Sequence, residues 1–216
     1  MTTRALFVVL LLIAISLGAR LSVAGDPDQA ERGRAVFAAK QCTRCHVPRG
    51  EAGGTGPTVE DLRRPQGEMQ LAGRLWNHVP AMFASVSTAG VAWPAFTIAE
   101  MSDLMAYLQA DPARDGKANA GKGRVVLMRK GCLKCHSLRR EGGTVRPDLA
   151  ERRADYESAA AWATTMWTHT PRMADMAKRQ GIAYPRFSND EMVNLLGLLR
   201  GAALPVVPSA SAPPKR

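Results

Sequence analysis

The sequence predicts an all-α protein made of two similar halves. Three observations carry that expectation. Apolar residues recur at helical spacing in both halves, strand signals are scarce, and one block of sequence returns at an offset of 90 residues early and 91 later. Glu31 to Cys42 returns as Gly121 to Cys132, with identities at Gly33/Gly123, Arg34/Arg124, Val36/Val126 and Lys40/Lys130. Trp76-Asn-His78-Val-Pro80-Ala-Met82 returns as Trp167-Thr-His169-Thr-Pro171-Arg-Met173. Trp93-Pro94-Ala-Phe96 returns as Tyr184-Pro185-Arg-Phe187, and Glu100-Met101 as Glu191-Met192.

Taken in chain order, residues 1–24 read as an export signal. Arg4 precedes an apolar run from Ala5 to Ala19, Arg20 ends it, and Ser22-Val23-Ala24 supplies the small residues of a cleavage site. The run is short for a membrane span of about 20 residues. The reading is therefore a periplasmic protein, with an uncleaved inner-membrane anchor as the alternative. Residues 25–110 and 120–201 form the two expected domains, and the polar, Pro- and Gly-containing stretch 111–119 is the linker. The Pro/Ala/Ser-rich tail 202–216 offers little surface to bury and is expected to be disordered.

Within each half three helices are expected. The first leads into a cysteine pair. The second places Leu71, Leu75, His78 and Met82 on one face. The third runs from about Thr97 to Leu108 and from Ser188 to Leu199, with Thr97 or Ser188 as N-cap and Glu100 or Glu191 completing a capping box. Met101, Met105 and Met192 fall at core spacing on it. Gly-rich loops, Gly53 to Pro57 and Gly142 to Pro147, join the first helix to the second. The aromatic residues are few, and no stacking platform is expected of them; Trp76 and Trp167 read as core packing, with pocket lining as the alternative.

The chemistry-bearing motif is Cys42-Thr-Arg-Cys45-His46, repeated as Cys132-Leu-Lys-Cys135-His136, and the two copies use every cysteine of the chain. Cys-x-x-Cys-His is the attachment signature for c-type haem. Two thiols three residues apart can form thioethers to one porphyrin while the neighbouring imidazole reaches the iron. A thioredoxin-like pair would need a βαβ context that the helical pattern does not provide. A four-cysteine zinc site gives no reason for a histidine after each pair. Two covalently bound haem c groups are the expected cofactors.

With these residues in place, the chain resembles the class I c-type cytochromes, in tandem dihaem form, over about residues 30–108 and 120–200. The resemblance implies two all-α domains, each wrapped around one haem. It also implies covalent binding by Cys42, Cys45, Cys132 and Cys135, with His46 and His136 as proximal iron ligands. Pro57 and Pro147, each 11 residues after a haem histidine, resemble the family proline whose carbonyl orients that ring. The distal ligand departs from the family. The residues before Pro94 and Pro185 are Trp93 and Tyr184, where the family usually has Met. The repeat points to His78/Met82 and His169/Met173, four residues apart on one helical face. Met82 and Met173 are favoured because Met is the family's common distal ligand, and His78 and His169 are the rivals.

Charge is uneven. From Gly25 to Ala113 the chain has 8 basic and 10 acidic residues, net −2; from Arg114 onward it has 19 and 9, net +10. For an exported redox protein this favours an acidic docking surface on a redox partner protein, or an anionic membrane surface, over nucleic acid. The function expected is single-electron transfer by a periplasmic dihaem cytochrome, with no catalytic residue assigned. The alternatives are a dihaem enzyme of peroxidase or thiosulfate-oxidising type, and an electron-transfer subunit of a larger dehydrogenase. An open catalytic haem is disfavoured because both halves keep His and Met equally. Oligomeric state is not readable from the sequence.

Overall fold

The structure is a computed structural model describing residues 27–202. The expected export segment at 1–24, and the expected tail beyond Ala202, lie outside the described residues. The first half contains α1 (Pro27–Ala39), the single turn α2 (Val59–Leu62), α3 (Glu68–Thr88) and α4 (Ile98–Tyr107). The second contains α5 (Ala120–Arg129), α6 (Ala159–Arg179) and α7 (Glu191–Ala202). Strand is confined, among the described residues, to a small antiparallel hairpin of β1 (Ser137–Leu138) and β2 (Glu141–Gly142), with Ser137 opposite Gly142. No described helix is long and apolar enough to cross a membrane.

Each half is organised by a crossing of its first and last helices, α1 on α4 and α5 on α7. The repeated glycines are the contact points. A Cβ on Gly33 would lie 1.9 Å from the Asp103 carbonyl oxygen, and one on Gly123 would lie 2.1 Å from that of Asn194. The repeated lysines lock the same crossing from the other end. Lys40 pairs with Glu100 at 2.7 Å and lies over the Phe96 ring, while Lys130 pairs with Glu191 at 2.8 Å and lies over Phe187. Those carboxylates sit at the N-termini of α4 and α7, where negative charge is favourable. Thr97 caps α4 in a full capping box with Glu100, as the sequence predicts. In the second half Asn189 takes a left-handed φ of 48°, so α7 starts at Glu191 and Ser188 stands outside it, bonded to the Glu191 carboxylate at 2.9 Å through its N–H.

The stretch between the halves is tied down. Both Asp115 oxygens accept from the Met69 N–H, at 3.1 and 3.0 Å, which caps the start of α3.

The two long helices, α3 and α6, pack on each other, and each reaches the loop before the other half's last helix. Trp76 stacks on Tyr184 at 5.1 Å and donates its Nε1–H to the Pro185 carbonyl at 2.6 Å. Reciprocally, Trp167 stacks on Trp93 at 4.4 Å and donates to the Pro94 carbonyl at 2.8 Å. Trp76 and Trp167 are buried, as core packing requires. They pair across the halves, which sequence spacing within one half does not reveal. Pro80 lies inside α3, and its missing N–H leaves the Trp76 carbonyl without its helical donor. Tyr184 of the other half fills that place, its hydroxyl donating to the Trp76 oxygen at 3.0 Å.

The helix crossing gives a direct test. Gly33→Ala and Gly123→Ala should each destabilise the protein by about 1–3 kcal/mol through overpacking against backbone. Gly201→Ala, which meets nothing within 4 Å on α7, should be neutral or slightly stabilising. Thermal denaturation of the three variants separates these outcomes.

Candidate functional site

Each cysteine motif folds as a tight turn leaving the first helix. A left-handed residue, Gln41 with φ 61° or Gly131 with φ 72°, ends that helix, and a 3₁₀ turn follows at Cys42–Arg44 and Cys132–Lys134. The His46 and His136 amides then close onto the Cys42 and Cys132 carbonyls at 2.9 and 3.0 Å. All four cysteines are free thiols, half-buried in their turns. Burial pushes the Cys42 and Cys132 thiols up to about 11. Among the described residues no three His, Cys, Asp or Glu side chains gather as a metal site, so the two pairs are not pooled.

The motif histidines are buried and oriented alike. His46 Nδ1 lies 2.8 Å from the Pro57 carbonyl and His136 Nδ1 lies 3.1 Å from that of Pro147. A carbonyl only accepts, so Nδ1 carries the proton and the Nε2 lone pair is left to bind a metal. The loops are shaped to permit this. Gly56 presses on the His46 ring so closely that a Cβ would sit 2.6 Å from Cε1. The Thr55 and Gly56 amides bond the Cys45 carbonyl at 3.1 and 3.0 Å, and the Arg146 amide bonds that of Cys135 at 3.0 Å.

In the second half these groups wall a cavity of about 230 Å³. Cys132, Cys135 and His136 form one side, and His169, Met173 and Met176 of α6 face them from the other. Trp76 of the first half and Phe187 add apolar wall, while Lys130, Arg146, Arg152 and Arg172 make the rim cationic. His136 and His169 have ring centroids 6.4 Å apart. Burial holds the pKa of both rings down, and at His169 the His136 charge adds to it. In the first half partial desolvation and the charge of His46 lower the pKa of His78, which is exposed. Met82 and Met173 are half-buried and pack against the hydrophobic core.

The predicted site residues thus come together as two sets: Cys42, Cys45 and His46 in the first half, and Cys132, Cys135, His136, His169 and Met173 in the second. Sequence reasoning preferred core packing for Trp76, which lines the second cavity as well, and it missed the arginines there. A Trp repeated beside His78 and His169 was the available signal.

Residues 30–110 match the family model for Cytochrome c, a likeness that points to covalently bound haem c and electron transport for this segment. That supports the class I c-type resemblance. No curated protein and no solved structure matches the chain. The donor set fits haem: a thiol pair in a turn, an imidazole with its metal-binding nitrogen unencumbered, and an apolar slot beside it.

Because Gly56 has no room for a side chain, Gly56→Ala should push the His46 ring off the Pro57 carbonyl. Loss of such an orienting contact typically costs about 10- to 100-fold in metal affinity. The absorption and EPR spectra of the holoprotein should show a weakened low-spin signal from one haem, whereas an unchanged spectrum would mean that the loop yields instead.

Proposed function

We propose that this chain is an exported, periplasmic dihaem c-type cytochrome that carries single electrons between redox partner proteins. What supports the reading is the repeated site geometry. In both halves a Cys-x-x-Cys turn is followed by a histidine whose Nδ1 meets a proline carbonyl 11 residues on. When bound, haem supplies the one-electron ferric/ferrous couple. Cys42 and Cys45, and likewise Cys132 and Cys135, fix it covalently; His46 and His136 present Nε2 to the iron. The carbonyls of Pro57 and Pro147 hold those rings in one tautomer and raise their basicity. Arg146 and Arg172 offer positive charge to the haem carboxylates at the second site. Trp76 and Phe187 keep water from it, which limits reorganisation when the charge changes.

Haem stoichiometry tests the proposal. The intact mass of the processed protein should exceed the polypeptide by two haems that survive acid extraction. The double variant Cys132→Ala, Cys135→Ala should lose one of them and keep the other. One haem in the wild type would reduce the reading to a monohaem cytochrome domain with a haem-free second half.

The partner is expected to dock on the basic second half. Arg139 and Arg152 are engaged within the fold, the first donating to the Ala202 carbonyl at 3.2 Å and the second pairing with Asp155 at 2.7 Å. Arg140 and Arg153 are exposed and suit a charge-reversal experiment. Arg140→Glu with Arg153→Glu should slow electron transfer to an acidic partner by on the order of 10-fold at low salt, and far less at high salt. Arg64→Glu in the first half should have little effect. Stopped-flow rates that ignore both salt and the substitutions would place docking on an uncharged surface.

A further inference from the structure

The loop that resembles the family's source of a distal methionine is committed elsewhere in this fold. Trp93 and Tyr184, the residues before Pro94 and Pro185, are stacked on the other half's tryptophans at 4.4 and 5.1 Å. The methionines of the last helices are also committed. Met101, Met105 and Met192 are buried in the core, and Met192 Sδ accepts the Trp162 indole N–H at 3.1 Å. The side chains left to face the proximal histidines come from α3 and α6.

On α6 the side chains that line the cavity with donor atoms are His169, Met173 and Met176, at successive turns. They share a helical face but stand about one turn, roughly 5.4 Å, apart along the axis, so only one can lie opposite His136. The residue found opposite is His169, with its ring centroid 6.4 Å from that of His136 and the planes at 47°. That separation is at the long end of the range for a tilted ring pair, and it suits one metal atom between two imidazoles. With the imidazole–zinc distance of about 2.0–2.1 Å as a guide, two in-line bonds span about 4 Å and leave about 1.1–1.2 Å for the half-width of each ring. The inter-ring angle is unconstrained, because each ring can rotate about the shared bond axis. His136 has its Nδ1 turned to Pro147, so Nε2 is the nitrogen that faces the gap.

We propose that His169, and its repeat equivalent His78, are the distal iron ligands, so that both haems are bis-histidine and Met82 and Met173 are wall residues. The inference rests on the dihaem reading above. In the first half it is carried by the repeat, Trp76-x-His78-x-Pro80 matching Trp167-x-His169-x-Pro171. Because Met ligation raises haem potential relative to His, the chain should work at the lower-potential end of its family.

The test uses the full-length holoprotein, with haem content measured first by mass. Near-infrared magnetic circular dichroism and EPR of the oxidised wild type should show two low-spin bis-imidazole haems and no thioether-to-iron charge-transfer band. His169→Ala should turn one haem high-spin, His78→Ala the other, and added imidazole should restore each to low-spin. Met173→Leu and Met82→Leu should leave both spectra unchanged. Should either histidine variant fail to fold, the wild-type spectrum alone still decides. A charge-transfer band from both haems, or loss of low-spin signal in the methionine variants, would overturn the assignment. Fewer than two haems by mass would instead strike the dihaem reading, so the two failures are distinguishable.

Discussion

The reciprocal contact between the long helices is the constraint from which most of the arrangement follows. Each half sends one tryptophan into the other, where its ring stacks and its indole N–H finds a proline carbonyl. A buried indole needs such an acceptor, since an unpaired N–H away from water costs about 1–3 kcal/mol. The carbonyls that meet this need belong to Pro94 and Pro185, in the loops entering the last helices. Those loops are therefore fixed by the partner half. Their aromatic residues cannot also serve as the mouth of a haem crevice, and the long helices are left to supply the far wall.

The same contact answers a size problem. A domain of roughly 80 residues buries a smaller fraction of its surface than a larger one does and is marginal on its own. Here one hydrophobic cluster runs through both halves, from Phe37 and Tyr107 at one end to Tyr156 and Leu199 at the other, with Trp76 and Trp167 at the junction. Asn77 strengthens the seam with a two-way bond to the Phe187 backbone, Nδ2 donating at 2.6 Å and Oδ1 accepting at 2.8 Å. Aromatic pairs of this kind contribute about 0.5–1.5 kcal/mol beyond their buried area. Cohesion within each half comes from the glycine crossings. Cohesion between them comes from the tryptophans.

What could be read from the sequence was the part encoded locally. The cysteine turns depend on five adjacent residues, and the capping box at Thr97 on four. The glycine and lysine identities of the repeat turn out to mark the helix crossing, although their meaning required the partner helix to be seen. Contacts between residues more than 70 positions apart were not legible. Trp93 and Tyr184 looked like departures at a ligand position, and nothing in their own half says that Trp167 and Trp76 will cover them. Ser188 was a plausible cap because Thr97 is one. The left-handed turn at Asn189 displaced it, and that turn is set by how the loop meets α3 through Phe187 and Pro185 rather than by cap chemistry.

The two halves differ where they meet each other and around the cysteine motifs. Gly131 adopts its left-handed conformation without a Cβ penalty, whereas Gln41 holds the same geometry against one. Tyr184 repairs the carbonyl that Pro80 exposes in α3. Its equivalent, Trp93, has no hydroxyl, and its buried Nε1–H has no partner among the described residues. Gly56 packs flat on the His46 ring, whereas the equivalent position before Pro147 is Arg146, a cation at the cavity rim. Each substitution keeps the histidine–proline geometry and alters the surroundings. A positive charge beside an iron centre stabilises its reduced, less positive state, more so where the dielectric is low. The histidine–proline geometry is therefore common to both halves, and the differing residues around it give the two histidines different electrostatic surroundings.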